Sequence, residues 1–240
     1  MRPSFTYADC GESALLVDFG SHYSKALSLA ILDASDRLAA ARLPGLSECV
    51  PALSSLTVFY DPLQLPRDRL AREIEKLFAS PEPAAVHGRT FNIPVLYGGE
   101  GGPDLGHVAE ITGMPPQEAV HLHASPLYHV YMLGFLPGFA YLGNIPEPLR
   151  LPRRSTPRAR VPAGSVAIAA DMTAIYPLES PGGWHLIGHT PVPLWDMARR
   201  EEPLLKPGDS VRFLPVSCGE AEALARRVVE GWLPEPAEGG

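Results

Sequence analysis

The residues best suited to chemistry gather between positions 127 and 190. Five arginines fall within eleven residues there: Arg150, Arg153, Arg154, Arg158 and Arg160. A guanidinium presents a planar fork of donors that matches a carboxylate or a phosphate. Pro152, Pro157 and Pro162 stiffen this segment, and a stiff backbone holds such forks in place at low entropic cost. Arg158 and Arg160 are therefore the candidate anion-binding pair, with Arg160 the first choice for a catalytic role. Arg150, Arg153 and Arg154 read as surface residues. A solvated basic loop, or arginines facing an acidic partner, would have the same sequence.

Two strand-like stretches flank the arginines. In the first, Leu127, His129 and Tyr131 share one face, and Tyr128, Val130 and Met132 the other, because side chains alternate along a strand. A histidine beside a tyrosine could shuttle a proton or orient a polar ligand; it could equally be a hydrogen-bonded core histidine. In the second, His185, Ile187 and His189 share a face opposite Trp184, Leu186, Gly188 and Thr190, with Tyr176 and Ser180 before the preceding turn. The competing reading is a hairpin whose small residues permit close packing. The candidate set is thus Arg160 and His129 for catalysis, and Arg158, Tyr131, Tyr176, Ser180, His189 and Thr190 for binding substrate or anion.

Other chemistries find less support. His121 and His123 sit two apart in a helical pattern, where they point away from each other, so no metal site is expected. Cys10, Cys49 and Cys218 are far apart and suggest neither a zinc pair nor a disulfide framework. Cys218 lies near a helix N-terminus, where a thiol can become acidic, but a packed, unreactive cysteine is the better reading. Gly98 to Gly102 lacks the lysine of a phosphate-binding loop, and no Gly-x-Ser-x-Gly occurs.

The elements that must position these residues divide into two textures. Strands at 5–9 and 13–19, a helix capped by Ser21 and running to Ala41, strands at 48–51 and 55–60, and a helix carrying Leu70, Ile74, Leu77 and Phe78 suggest a small antiparallel sheet covered by two helices. Ser80–His87, with two prolines and little periodicity, is the expected boundary. Beyond it come a strand at 91–96, a glycine-rich loop, and a short helix that Asp104 could cap. A second helix reaches His123, and many short strands follow. Leu136-Pro-Gly-Phe139, Ser180-Pro-Gly-Gly183 and Lys206-Pro-Gly-Asp209 have the chemistry of type II turns. Short strands punctuated in this way suggest a barrel or sandwich. A last helix spans Cys218 to Val229. The predicted class is α+β: a small two-layer α/β domain over 1–85, a β-barrel over 86–234, and a disordered tail over 235–240.

Composition sets outer limits. A net charge of -7 argues against a general binder of nucleic acid or anionic membrane. No apolar run approaches the ~18 residues of a membrane span, and the N-terminus lacks a signal peptide's apolar stretch. A soluble cytoplasmic protein is expected. Proline is frequent, 27 of 240 residues, and its even spread marks turns rather than a linker.

Long motifs carry a resemblance beyond these inferences. Gly134-Phe-Leu-Pro-Gly-Phe139, Pro157-Arg-Ala-Arg-Val-Pro-Ala-Gly-Ser-Val166 and Tyr176-Pro-Leu-Glu-Ser-Pro-Gly-Gly-Trp184 resemble the KipI family, also called the allophanate hydrolase subunit 1 family, which includes B subunits of bacterial 5-oxoprolinases. Ile93-Pro-Val-Leu-Tyr-Gly-Gly99, Pro103-Asp104-Leu105 and Ser55-Leu-Thr-Val-Phe-Tyr-Asp-Pro62 extend it. The resemblance implies a cyclophilin-like barrel and ATP-dependent opening of 5-oxo-L-proline to L-glutamate. It implies ATP and Mg2+, on this chain or at a subunit interface. It also implies two partners, the KipA-like C subunit of 5-oxoprolinase and the A subunit. It places Arg158 and Arg160 in the arginine motif. An alternative it carries is inhibition of a sensor histidine kinase through protein contact. The chain departs from the family pattern at Ala140, Met172 and His189, where the pattern has proline, glutamine and arginine.

Overall fold

The computed structural model describes residues 4–79, 88–196 and 202–237. The expected boundary at Ser80–His87 and the last three residues of the tail lie outside the described residues. The chain divides between His87 and Gly88 into two compact units.

In the first unit, β1 (Thr6–Asp9), β2 (Ala14–Asp18), β3 (Leu46–Pro51) and β4 (Ser55–Tyr60) form an antiparallel sheet in the order β1-β2-β4-β3. Alternation puts Leu15 and Val17 of β2, and Leu56, Val58 and Tyr60 of β4, on one face. Against them pack Ile31, Ala34 and Leu38 of α1 (Lys25–Ala40) and Leu70, Ile74 and Phe78 of α2 (Arg67–Ala79), in a single core. The stripes are those the helical period requires. The cap of α1 is Ser24, whose side chain accepts from the Leu27 N–H at 3.1 Å, and not Ser21. Residues 21–24 stay outside the helix, and the capping oxygen must stand within reach of the third following amide.

The second unit is built on a closed barrel. Its strands are β5 (Thr90–Tyr97), β6 (Tyr128–Leu133), β7 (Ala140–Gly143), β9 (Ser165–Ala169), β10 (Met172–Ile175), β12 (His185–His189) and β13 (Ser210–Pro215), in the circular order β10-β7-β6-β13-β5-β12-β9. β5 and β13 run parallel, and the other barrel pairings are antiparallel. The interior is filled by residues such as Phe91, Ile93, Val130, Leu142, Val166, Ile168, Ile187 and Phe213. Two further strands, β8 (Arg158–Val161) and β11 (Ser180–Gly182), form a separate ribbon. Helices α3 (Leu105–Thr112) and α4 (Pro116–Ala124) lie between β5 and β6 in sequence, and α5 (Cys218–Val229) follows β13. Buried Asp209 ties the barrel's ends together: its carboxylate accepts from the Arg89 amide and guanidinium and from the Lys206 N–H. The Ala237 N–H donates to the Thr90 carbonyl at 2.8 Å, so the tail is tethered at that residue, against the expected disorder.

Two of the three proline-glycine turns form as predicted, with Gly138 at φ 78° and Gly208 at φ 93°. The third does not. Ser180, Pro181 and Gly182 are β11, and Gly182 has no positive φ. A side chain there would collide with the Tyr176 hydroxyl, so close approach, not backbone conformation, requires the glycine. The β9–β10 hairpin turns on Ala170 and Asp171, with Ala170 at φ 51°. A positive φ at the first loop position alone is the pattern of a type II′ turn, which favours glycine. Ala170→Gly is expected to stabilise the protein by up to about 1 kcal/mol through relief of that strain, read as a raised urea midpoint. A lowered midpoint would show that the turn carries no such strain.

No helix among the described residues is long and apolar enough to cross a membrane.

Candidate functional site

One carboxylate organises the arginines. Asp104 precedes α3, where a cap is expected, yet its side chain makes no capping bond. It turns instead toward the arginine segment and β12. Oδ2 accepts from the Leu186 N–H at 2.7 Å, while the Asp104 N–H donates to the Leu186 carbonyl at 2.9 Å. Arg158 forks onto both carboxylate oxygens at 2.8 Å each, and Arg154 donates to Oδ1 at 2.8 Å. Burial alone would raise the Asp104 pKa. The hydrogen bonds from Arg158 and the Leu186 amide, with the charges of Arg158 and Arg154, hold it below the ordinary carboxylate value. Arg154, expected at the surface, is therefore anchored: its side chain is 28% exposed, and its own amide donates to the Gly183 carbonyl.

Two clefts adjoin this centre, and a third shares His189 with the first. The first, of about 500 Å³, is edged by Arg158, Arg160, Glu100, Ser165 and His189, with Leu186 on its wall. The ribbon β8–β11 carries the two arginines to it. Arg160 is exposed and forks onto Glu179, at 3.0 and 2.9 Å. That surface pair is easily exchanged for a ligand, because water already competes for both partners. His189 donates from Nε2 to the Ala163 carbonyl at 3.1 Å. The second cleft, of about 380 Å³, lies between α3 and the segment Leu151–Thr156, with His185 in its wall. The third, of about 170 Å³, is small and is lined by Tyr176, His189 and Thr190.

The candidate residues therefore divide. Arg158, Arg160 and His189 share the first cleft; Tyr176 and Thr190 join His189 in the third. Ser180 is buried in β11 opposite Val161. His129 and Tyr131 lie on β6, separated from β12 by β13 and β5 around the barrel, and line none of the three clefts. His129 is buried and packs edge-on against Tyr131 at 4.8 Å, and Tyr131 accepts a hydrogen bond from Asn144 at 2.7 Å. The predicted pairing of His185 with His189 on one face fails for a specific reason. β12 shifts register between Leu186 and Gly188, and one extra residue sends the side chains on either side to different places. His185 faces the second cleft and His189 the first. Met172 is a buried strand residue beside Gly143 and lines none of the clefts.

The most enclosed histidine is one that helical spacing alone would dismiss. His123 of α4 is stacked on Phe213 at 4.7 Å between centroids. Its Nδ1 lies 2.7 Å from the Tyr97 hydroxyl and its Nε2 2.8 Å from Thr173 Oγ1. His121, two residues before it, is exposed, so the two rings diverge as a helix requires.

Comparison with known proteins gives a consistent picture. The carboxyltransferase domain family, subdomains C and D, matches residues 5–206. The chain is 40% identical over 228 residues to the 5-oxoprolinase B subunit of Bacillus subtilis, covering 90% of this chain and 95% of that protein. It is 44% identical over 210 residues to the 5-oxoprolinase B subunit of Escherichia coli O157:H7, covering 87% of this chain and 95% of that one. Among solved structures, that of TTHA0988 superposes with a TM-score of 0.76 at 43% identity, covering 85% of this chain. This chain spans only 40% of that longer polypeptide.

Proposed function

The chain belongs to the carboxyltransferase domain family, subdomains C and D, and we propose that it is the B subunit of an ATP-dependent 5-oxoprolinase, active only with its partner subunits. The observation that carries this reading is the 40% and 44% identity, spread over about nine-tenths of the chain, to two proteins named as 5-oxoprolinase B subunits. The site supports it through an arginine-edged cleft of a size for a small anionic ligand. The proposed partners are the C and A subunits of the same enzyme. A relative in which this module is joined to a longer stretch of other sequence supports an intimate docking partner. The same reading makes the barrel cyclophilin-like and the protein cytoplasmic.

ATP and Mg2+ are proposed to bind where this chain meets its partners. The described residues do not fit a self-contained site for them. Arg158 is committed to Asp104, which leaves Arg160, paired with Glu179 at the surface, to turn to an anion. No group of three histidines, cysteines or carboxylates among the described residues is placed to hold a metal ion. The chain's own part is to orient charge: Asp104 fixes Arg158, and Arg160 exchanges Glu179 for the incoming anion.

The test is reconstitution. The protein assembled with its C and A partners is expected to hydrolyse ATP only when 5-oxo-L-proline is supplied. Properly assembled subunits without that dependence would sink the proposal. Arg160→Ala is expected to abolish the dependent turnover while leaving the thermal midpoint in place, since the side chain is 78% exposed. Wild-type turnover in that variant would remove Arg160 from the site.

A further inference from the structure

We propose that the second cleft is a binding site for a small lactam bearing a carboxylate, recognised along its amide edge by Arg154 and His185. This assignment rests on the 5-oxoprolinase reading for the identity of the lactam, but its lining residues are not those of the first cleft.

The argument starts from two buried nitrogens that have no hydrogen-bond partner among the described residues: Arg154 Nε and His185 Nδ1. Such atoms are costly to leave unsatisfied, and both residues line the same cleft. Their chemistry is fixed by their other bonds. His185 is 4% exposed, and its Nε2 lies 2.9 Å from the Pro152 carbonyl. A carbonyl can only accept, so Nε2 carries the hydrogen and Nδ1 of the neutral ring offers a lone pair. Arg154 spends one terminal nitrogen on Asp104, and its Nε–H is a donor. The cleft wall thus holds one donor and one acceptor, and a ligand that meets them must shift the two side chains, since both nitrogens are buried in the unliganded chain.

A group that answers both must offer an acceptor beside a donor. A secondary amide does so on one edge only when its peptide bond is cis. Open-chain amides are overwhelmingly trans, whereas a small lactam ring forces the cis arrangement. The lactam carbonyl would accept from Arg154 Nε–H, and the lactam N–H would donate to His185 Nδ1. Ile111 and buried Leu151 supply apolar wall for the ring methylenes, and exposed Arg153, which has no carboxylate partner among the described residues, stands at the rim for the ligand's carboxylate. The volume, about 380 Å³, is far beyond the ~30 Å³ share of one water. Asp104 links this cleft to the first, because it holds Arg154 on one side and Arg158 on the other.

The test uses the full chain, alone and assembled with its partner subunits. Ligand-observed NMR with 5-oxo-L-proline is expected to show binding. 2-Pyrrolidinone should compete, and N-methyl-2-pyrrolidinone should compete about tenfold less well, since losing one hydrogen bond to an orphaned buried group costs on this order. Arg154→Lys, which keeps the charge facing Asp104 but removes Nε–H, should weaken binding about tenfold by the same reasoning. His185→Phe should erase the preference for N–H over N-methyl. Ile111→Trp, at a position 52% exposed and so tolerant of substitution, should block the cleft from its rim. Absence of 5-oxo-L-proline binding, equal competition by the two pyrrolidinones, or undiminished affinity in Ile111→Trp overturns the proposal. If the assembly hydrolyses ATP in response to 5-oxo-L-proline while all three variants keep the wild-type KM, the site is wrong and the function stands. If N–H-selective binding appears without lactam-dependent ATP hydrolysis, the site stands and the enzymatic reading falls.

Discussion

Asp104→Ala is expected to lower the unfolding free energy of the barrel unit by about 3 kcal/mol, the low end of what breaking a buried ion pair costs. The carboxylate satisfies four hydrogen bonds at once: two from Arg158, one from Arg154 and one from the Leu186 amide. Alanine would leave two guanidinium groups facing each other without their shared counter-charge and an amide at a buried residue without its acceptor. The cost stays at the low end because the two arginine side chains keep 28% and 25% exposure, so water can reach them. Asp104→Asn should cost less, since an amide oxygen can still accept from Leu186 but the charge is gone. The lowered pKa sets the pH dependence. Because the folded value lies below the unfolded one, this stabilisation is present above the unfolded carboxylate value of about 3.9 and is lost as pH falls through the folded value. Urea denaturation at neutral pH measures the difference directly. A loss under about 1 kcal/mol would mean that water replaces the carboxylate and that Asp104 does not hold the arginines.

Asp104 also shows where local sequence stops being informative. An aspartate before an apolar helical pattern looks like a cap, because that is the nearest job for its oxygens. Its real partners are 50, 54 and 82 residues further along the chain, and no local signal points that far. The elements themselves were legible. The stripes on α1 and α2 and the alternation on β2 and β4 follow from burying one face, and Pro-Gly at 137–138 and 207–208 has the predicted turn conformation. Side-chain direction was legible only where strands are regular. The register shift in β12 separates His185 from His189, and another lies in β6 between Val130 and Met132. A bulge leaves no mark on hydrophobic alternation short enough to detect. The arginine motif pointed to a segment whose Arg158 and Arg160 edge one cleft, but stiffness of the local backbone was its only basis for ranking the members. It therefore passed over Arg154, whose partner stands at the leading edge of α3 rather than on its own segment.

The second large effect is a pH dependence centred on His123. Thr173 Oγ1 donates its hydrogen to the Ala167 carbonyl at 3.0 Å, so it must accept from His123 Nε2–H. That leaves Nδ1 to accept from the Tyr97 hydroxyl, and the ring is neutral with both nitrogens satisfied. A further proton would put a charge on a ring with no exposed surface, and burial pushes its pKa down to about 3. The unfolded chain has a histidine that titrates near 6.5. Between those values the unfolded state binds a proton that the folded state refuses, so stability falls as pH falls through about 6.5, at about 1.4 kcal/mol per pH unit. At pH 5 the loss relative to pH 7 should be about 2 kcal/mol from this residue alone. His123→Phe removes the titration while keeping a ring to stack on Phe213. It should start less stable, because the Tyr97 hydroxyl loses its acceptor, but its loss between pH 7 and pH 5 should be smaller than wild type by that 2 kcal/mol. Every other titratable group is present in both proteins, so the difference of differences isolates one ring. Equal pH slopes in the two proteins would mean that His123 takes up its proton in place. The Tyr97 hydroxyl would then have to turn from donor to acceptor at Nδ1, while Thr173 goes on accepting from Nε2–H and donating to the Ala167 carbonyl.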